Sequence, residues 1–343
     1  MISISFDAMG GDNAPYEIVK GALEASRELK IKSLIVGDET IVLNILKELG
    51  ANFKKDNIEI IPSKSVIEMD EKNPAKAIKQ KKDSSLVISN KLVTEGEASA
   101  VISAGNTGAA TAASLFEFKR IPNFERPCIC TLIPTNGNKM LLLDAGSNIA
   151  TTAEQMLQVA KLGSFLAAAL LENDNPRVGL LNIGEEEGKG TELYKESFNL
   201  IKAEPNINFV GNVEGNTIIN NICEVAVCDG FTGNIHLKAL EGGLRMMADS
   251  FKNELSSCIF GKAAGIVLKA KGAFKKIKSH FDPSSYGGAM LGGLNEISII
   301  SHGSSNAEAI KNAAKHAKLL VEADIVKKVK SVFDEQTTTG NTV

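Results

Sequence analysis

The chain of 343 residues contains no tryptophan, three tyrosines and four histidines. So few imidazoles leave little room for histidine-based metal sites or triads. No G-x-x-x-x-G-K-[ST] occurs, which argues against a P-loop nucleotidase; "GEEEGKG" falls one residue short and has no Ser or Thr after its Lys. No G-x-G-x-x-G follows the first strand-like run, which counts against a standard dinucleotide site. The apolar run "FLAAALL", Phe165–Leu171, is too short to span a bilayer. The N-terminus shows neither a charged n-region nor a long apolar core, so a protein without a signal peptide, soluble or surface-bound, is expected. The five cysteines are odd in number and contain no C-x-x-C, the pattern of buried free thiols in a reducing compartment rather than of zinc or disulfides. A net charge of −3 lacks the basic surplus of a nucleic-acid binder.

What is present is alternation. Short apolar runs ("ISISF", "SLIVG", "IEIIP", "SAVIS", "CICTLI", "MLLLD", "RVGLLNI", "INFVG", "EVAVC", "ISIIS") are separated by longer amphipathic segments. Helices are expected over Tyr16–Lys30, Pro74–Glu95, Thr152–Glu172 and Ala307–Val332. Most runs are continuously apolar, as strands covered on both faces are. The pattern predicts an α/β fold, mostly parallel. "PTNGNK", Pro134–Lys139, leaves no room for a helix and predicts an antiparallel hairpin, hence a mixed sheet. One domain over 1–333 and a frayed polar tail over 334–343 complete the expected organisation.

Seven strand exits carry Gly with Asn, Ser, Thr or Asp: "DAMGGDNAP", "AGNTGA", "AGSN", "GEEEGKG", "GNVEG", "DGFTGN" and "HGSSNA". Strand exits of a parallel sheet face a ligand crevice, and free N–H groups at helix starts attract anions. The seven together predict one polar, anion-binding crevice, although any single one is an ordinary capped turn. His302 stands near Ser304 and Ser305, but without a nucleophile elbow helix capping is the better role for the serines. Glu185, Glu186 and Glu187 suit a solvated helix start better than a metal; no metal site is expected. Lys189 follows them between glycines.

A second signal is basic. Leu255–Phe281 holds six lysines and no acidic residue, so the rest of the chain carries −9. Within 254–282, apolar residues recur every three or four positions and the lysines fall mainly off that stripe. Such a helix lies on anionic membranes or packs on a second subunit, and the glycines in it suggest a hairpin. A basic patch also attracts an acidic protein partner.

Taken in order, "DAMGGDNAP", "KKDSS", "SAGNTGA", "RIPNFERP", "LLDAGSN", "GLLNIGEEEGKGTEL", "FVGNVEG", "DGFTGNIHLK", "YGGAMLGG" and "HGSSNA" resemble the loops of the bacterial phosphate acyltransferase (PlsX) family, over about residues 1–330. Ser147, Met290, Glu296, Ile300 and Ser301 depart from that family's usual wording. The resemblance implies a three-layer α/β/α sandwich related to isopropylmalate dehydrogenases and phosphotransacetylases. It implies transfer of a long acyl chain from acyl-carrier protein to inorganic phosphate, the entry step of phospholipid synthesis, without a cofactor. A homodimer is implied, at the cytoplasmic face of the plasma membrane, with a glycerol-3-phosphate acyltransferase downstream. Lys189 and Asn234 are the implied catalytic pair. Gly10, Gly11, Asp12, Asn13, Asn106, Thr107, Asn148, Ser304, Ser305 and Asn306 are the implied phosphate pocket. Ile259, Phe260, Ile266, Val267, Lys269 and Phe274 are the implied membrane contacts. A phosphotransacetylase-like enzyme using acyl-CoA, a non-catalytic membrane-surface scaffold and, more distantly, a NAD-dependent decarboxylating dehydrogenase are the alternatives.

Overall fold

A computed structural model describes residues 1–136, 138–257 and 287–339. The basic segment lies outside these residues except for its first positions, 254–257, and so do its six expected membrane contacts. The chain runs β1 (Ser3–Asp7), α1 (Tyr16–Leu29), β2 (Lys32–Gly37), α2 (Glu39–Glu48), β3 (Ile58–Pro62), α3 (Pro74–Gln80), α4 (Ser85–Thr94), β4 (Ala100–Ser103) and α5 (Thr107–Phe118). It continues with β5 (Cys128–Pro134), β6 (Lys139–Leu143), α6 (Ala153–Leu171), β7 (Arg177–Asn182), α7 (Glu192–Ala203), β8 (Asn208–Glu214), β9 (Val225–Val227) and α8 (Gly230–Ser257). After the undescribed segment come β10 (Ala289–Gly292), β11 (Ile297–Ile300), α9 (Ala307–Glu322) and α10 (Ile325–Thr339).

The strands form one sheet in the order β3-β2-β1-β4-β11-β10-β5-β6-β9-β7-β8. Alternate residues feed opposite faces, as the pleat requires. Ile35, Ile102 and Ile299 join α1, α2, α6, α7, α9 and α10 on one face. Leu34, Val101 and Ile300 join α3–α5 on the other, where Ile129 continues the packing to the patch under α8. This is the three-layer α/β/α sandwich. Cys128, Cys130, Cys223 and Cys228 are buried free thiols.

The expected hairpin forms, with Pro134 opposite Lys139. Its consequence for direction is large. β1, β2, β3, β4 and β11 are mutually parallel. β10 and β5 are each antiparallel to their neighbours, and the block β6-β9-β7-β8 is parallel within itself. Three successive antiparallel pairings make that block run opposite to the first. The exits of β1, β4 and β11 therefore lie on one edge, here called upper, and those of β6, β7, β8 and β9 on the lower edge. The seven exits do not converge on one edge.

Two expectations on elements are corrected. The helix over Pro74–Glu95 is two, because Lys81 ends α3 and the Ser84 side chain caps α4 at Val87 N. The helix over Ala307–Val332 breaks at Asp324, whose φ is 51°. α10 extends to Thr339, and the buried seam of Ile325, Val329 and Phe333 anchors its first part to the core. β10 lay in a glycine-rich run without a strand signal; pairing on both sides, with β11 and β5, makes it a strand.

Candidate active site

The upper group holds most of the expected phosphate residues, and its polar atoms largely satisfy one another. Asp12 N donates to Gly303 O at 2.8 Å, and Asn13 Nδ2 donates to Ser304 O at 3.0 Å and Ser305 O at 3.3 Å. Asn106 Oδ1 caps α5 at Ala109 N and its Nδ2 donates to Met69 O. Asn306 Oδ1 caps α9 at Ala309 N, while the Glu17 carboxylate accepts from Ala307 N at 2.7 Å. Ser304 Oγ and His302 Nδ1 are 2.8 Å apart. Gly11 has φ 125°, and a Cβ there would stand 3.2 Å from both Ala104 O and Gly303 O, so the loops after β1, β4 and β11 meet at a position only glycine fits. Beside it, Gly10 packs against Gly105. The starts of α5 and α9 are occupied by the protein's own caps, that of α1 has no side-chain cap, and the nearby charges Asp12 and Glu17 are acidic.

The lower group is built around two aspartates absent from the expected list. Asp144 follows β6 and accepts from Ile129 N, Gly146 N, Ser147 N, Asn148 N and Asn148 Nδ2 at 2.8–3.1 Å. Asn148, whose Nδ2 also reaches Pro127 O, is thereby a loop-holding residue. Asp229 follows β9 and caps α8 at Phe231 N and Thr232 N; Tyr194 Oη of α7 donates to its Oδ2 at 2.5 Å. Burial raises the Asp229 carboxyl, but the hydrogen bonds from Tyr194 and Thr232 outweigh it and hold the group below its ordinary value. Burial also pushes the Tyr194 hydroxyl up, so it stays a donor.

These two carboxylates fix the loops that carry the expected catalytic pair. Asn234 lies in the second turn of α8, its side chain packed where a Cβ on Gly146 (φ 136°) would come within 3.1–3.3 Å. Its amide takes part in no hydrogen bond among the described residues. Lys189 sits on the loop after β7, with its side chain 49% exposed and Glu186 Oε2 3.7 Å from Nζ, a loose pair. It precedes α7, where Thr191 provides no side-chain cap. The Tyr194–Asp229 bond ties the start of α7 to the start of α8, bringing both loops to one patch. A cation and an uncapped helix start favour an anion, and an unengaged amide suits a developing oxyanion. Missed by spacing, Asp144 and Asp229 carry a local signal: an Asp that ends an apolar run immediately before a small residue and a glycine, or before glycine itself.

Between the two groups, on the face that bears α5 and α8, lies a cavity of about 440 Å³. Leu237, Leu240 and Leu244 of α8 and Ile129, Leu132 and Ile133 of β5 line its body. Thr107, Ser304, Ser305 and Asn306 close its upper end, with Arg245 and His302. The structure thus brings those four expected residues together, and places Lys189, Asn234 and Asn148 at the other edge.

A family model described as fatty acid synthesis protein matches residues 2–328. A phosphate acyltransferase of Dictyoglomus turgidum is 42% identical over 341 residues, covering 99% of this chain and 100% of that protein. One of Halothermothrix orenii is 44% identical over 335 residues, covering 97% and 98%. Among solved structures, a phosphotransacetylase of Streptococcus pyogenes superposes with a TM-score of 0.61 at 18% identity, covering 95% of this chain and 94% of that one; this likeness shows the fold.

Proposed function

The chain belongs to the family whose members are named phosphate acyltransferase, and we propose that it transfers a long acyl chain from acyl-carrier protein to inorganic phosphate. The observation that supports this most is the lower patch: a half-exposed ammonium, an uncapped helix start and the unengaged Asn234 amide on one sheet edge. Lys189 and the N–H groups opening α7 hold the phosphate dianion. A phosphate oxygen attacks the thioester carbonyl carbon, forming the C–O bond, while Asn234 donates to the carbonyl oxygen as it gains charge. The C–S bond then breaks, and the proton that the phosphate dianion carries on another oxygen ends on the carrier thiol. No acyl-enzyme intermediate is needed, in keeping with a site that has no nucleophile elbow.

In this reading Gly10, Gly11, Asp12, Asn13, Asn106, Thr107, Ser304, Ser305 and Asn306 shape the upper wall and do not bind phosphate: the Asn13 amide donates into the neighbouring loop, the Asn106 and Asn306 side chains cap helices, and no Lys stands among them. Homodimerisation and attachment to the inner face of the membrane through 254–282 belong to the same proposal, supported by the segregated charge; so does docking of the acidic carrier protein on basic residues. No described helix is long and apolar enough to cross a membrane. The test is phosphate-dependent formation of acyl phosphate from palmitoyl-carrier protein. Product from acetyl-CoA but not from the palmitoyl carrier would favour a phosphotransacetylase-like enzyme instead. No product from either, with function lost only on removing the lysines of 254–282, would favour a scaffold.

A further inference from the structure

We infer that the cavity along α8 is the acyl-chain subsite, with the thioester end at Asn234 and the chain's methyl end under the upper loops; this rests on the acyl-transfer reading. Asn234, Leu237, Leu240 and Leu244 follow one another at helical spacings of three or four, so they share one face of α8. The leucines of that face line the cavity, and the wall therefore runs directly to Asn234. The opposite wall reaches the same place independently. Ile129 lines the cavity, and its backbone N–H is bonded to Asp144, the carboxylate that also fixes Gly146 against Asn234. From Asn234 to Arg245, α8 rises about 16 Å at about 1.5 Å per residue. That length and the apolar body suit a long acyl chain and far exceed an acetyl group.

The upper end stops the chain. Ser301 is 3% exposed and lines this end, and its Oγ has no hydrogen-bond partner among the described residues. Arg245 and His302 line the same end. A methyl terminus pressed against them would desolvate polar groups without pairing them, which is costly. Chains that end below Ser301 avoid this cost, so the polar rim sets an upper limit on length.

The experiment places a bulky ring at three depths, Leu237→Trp, Leu240→Trp and Leu244→Trp, and measures kcat/KM with octanoyl, dodecanoyl and palmitoyl thioesters. The deepest variant, Leu244→Trp, is expected to lower the palmitoyl-to-octanoyl ratio by at least about tenfold, while Leu237→Trp depresses all three lengths. The reverse order, or equal losses at every length for all three, overturns the proposal. Binding of cis-parinaric acid, followed by its fluorescence, separates the subsite from the chemistry. Lys189→Ala is expected to keep this binding and Leu240→Trp to weaken it at least about tenfold. Leu240→Phe repeats the measurement with a smaller ring should the tryptophan variant unfold. Unweakened binding in the Leu240 variants overturns the subsite even if acyl phosphate is made. Weakened binding in a protein that makes no acyl phosphate sustains the subsite and sinks the reaction.

Discussion

Asp7 and Asp144 stand at the exits of β1 and β6, on opposite edges of the sheet, and both are buried. Asp7 accepts a 2.7 Å hydrogen bond from Ser103 Oγ, and its Oδ1 has no partner among the described residues; burial pushes its carboxyl up. Asp144 accepts five N–H donors and organises the loop against Asn234. The upper edge is thus a place where loops bond one another around a poorly solvated acid. The lower edge uses its acids to aim other groups outward. A glycine-rich exit alone does not distinguish a wall from a reaction centre; where its donors go does.

The largest effect that would break the comparison is expected at Asp144. Asp144→Ala leaves several buried N–H groups without an acceptor and is expected to cost about 3–5 kcal/mol, read by urea unfolding. Asp7→Asn keeps an acceptor for Ser103 and removes an ionisable group from a dry site, so a change within about 1 kcal/mol is expected. Equal costs at the two positions would erase the distinction. Next come Lys189→Ala and Asn234→Ala, each expected to lower kcat/KM for acyl-phosphate formation by about 100- to 1000-fold. Ser305→Ala on the upper edge, at a buried serine that touches neither reacting group in this reading, is expected to stay within about threefold.

Acid sharpens the comparison in another way. His316 on α9 is held down to about 4 by burial and by Lys139 and Lys315. The unfolded chain binds a proton near the ordinary 6.5 that the folded chain refuses, so stability is full above 6.5 and is lost as pH falls towards about 4. Over that interval the loss approaches about 3 kcal/mol. His316→Gln is expected to flatten this slope in thermal unfolding. The depressed Asp229 carboxyl works lower: its stabilisation is present above the ordinary carboxylate value and is lost as pH falls through its own.

Much of this was legible in the sequence. All ten strands named from apolar runs form, because continuous burial on two faces leaves a run of Val, Ile and Leu that few other elements produce. β10 was not, since Gly287, Gly288, Gly292 and Gly293 hide a strand that exists by virtue of its neighbours. The residue types of both edges were visible too. Their separation follows from the Pro134–Lys139 hairpin: one antiparallel turn reverses every strand that later pairs in parallel with β6. Asp144 and Asp229 were overlooked because an aspartate before a glycine looks like a cap, and only tertiary contacts reveal how many donors converge on it.

The smallest expected effect concerns the loop "DAMGGDNAP". Asp12 is exposed, and it is its backbone N–H, not its carboxylate, that joins the loop to Gly303. Asn13 spends its amide on Ser304 O and Ser305 O. Asp12→Asn keeps the backbone bond and the side-chain volume and removes one negative charge. If phosphate binds at the lower edge, the change acts only through a screened field, since the Debye length is about 8 Å at physiological salt and the strands between the edges span more than that. The KM for phosphate is therefore expected to move by less than about twofold. A fall of tenfold or more would mean that the carboxylate had been repelling phosphate nearby, and would return the anion to the upper edge.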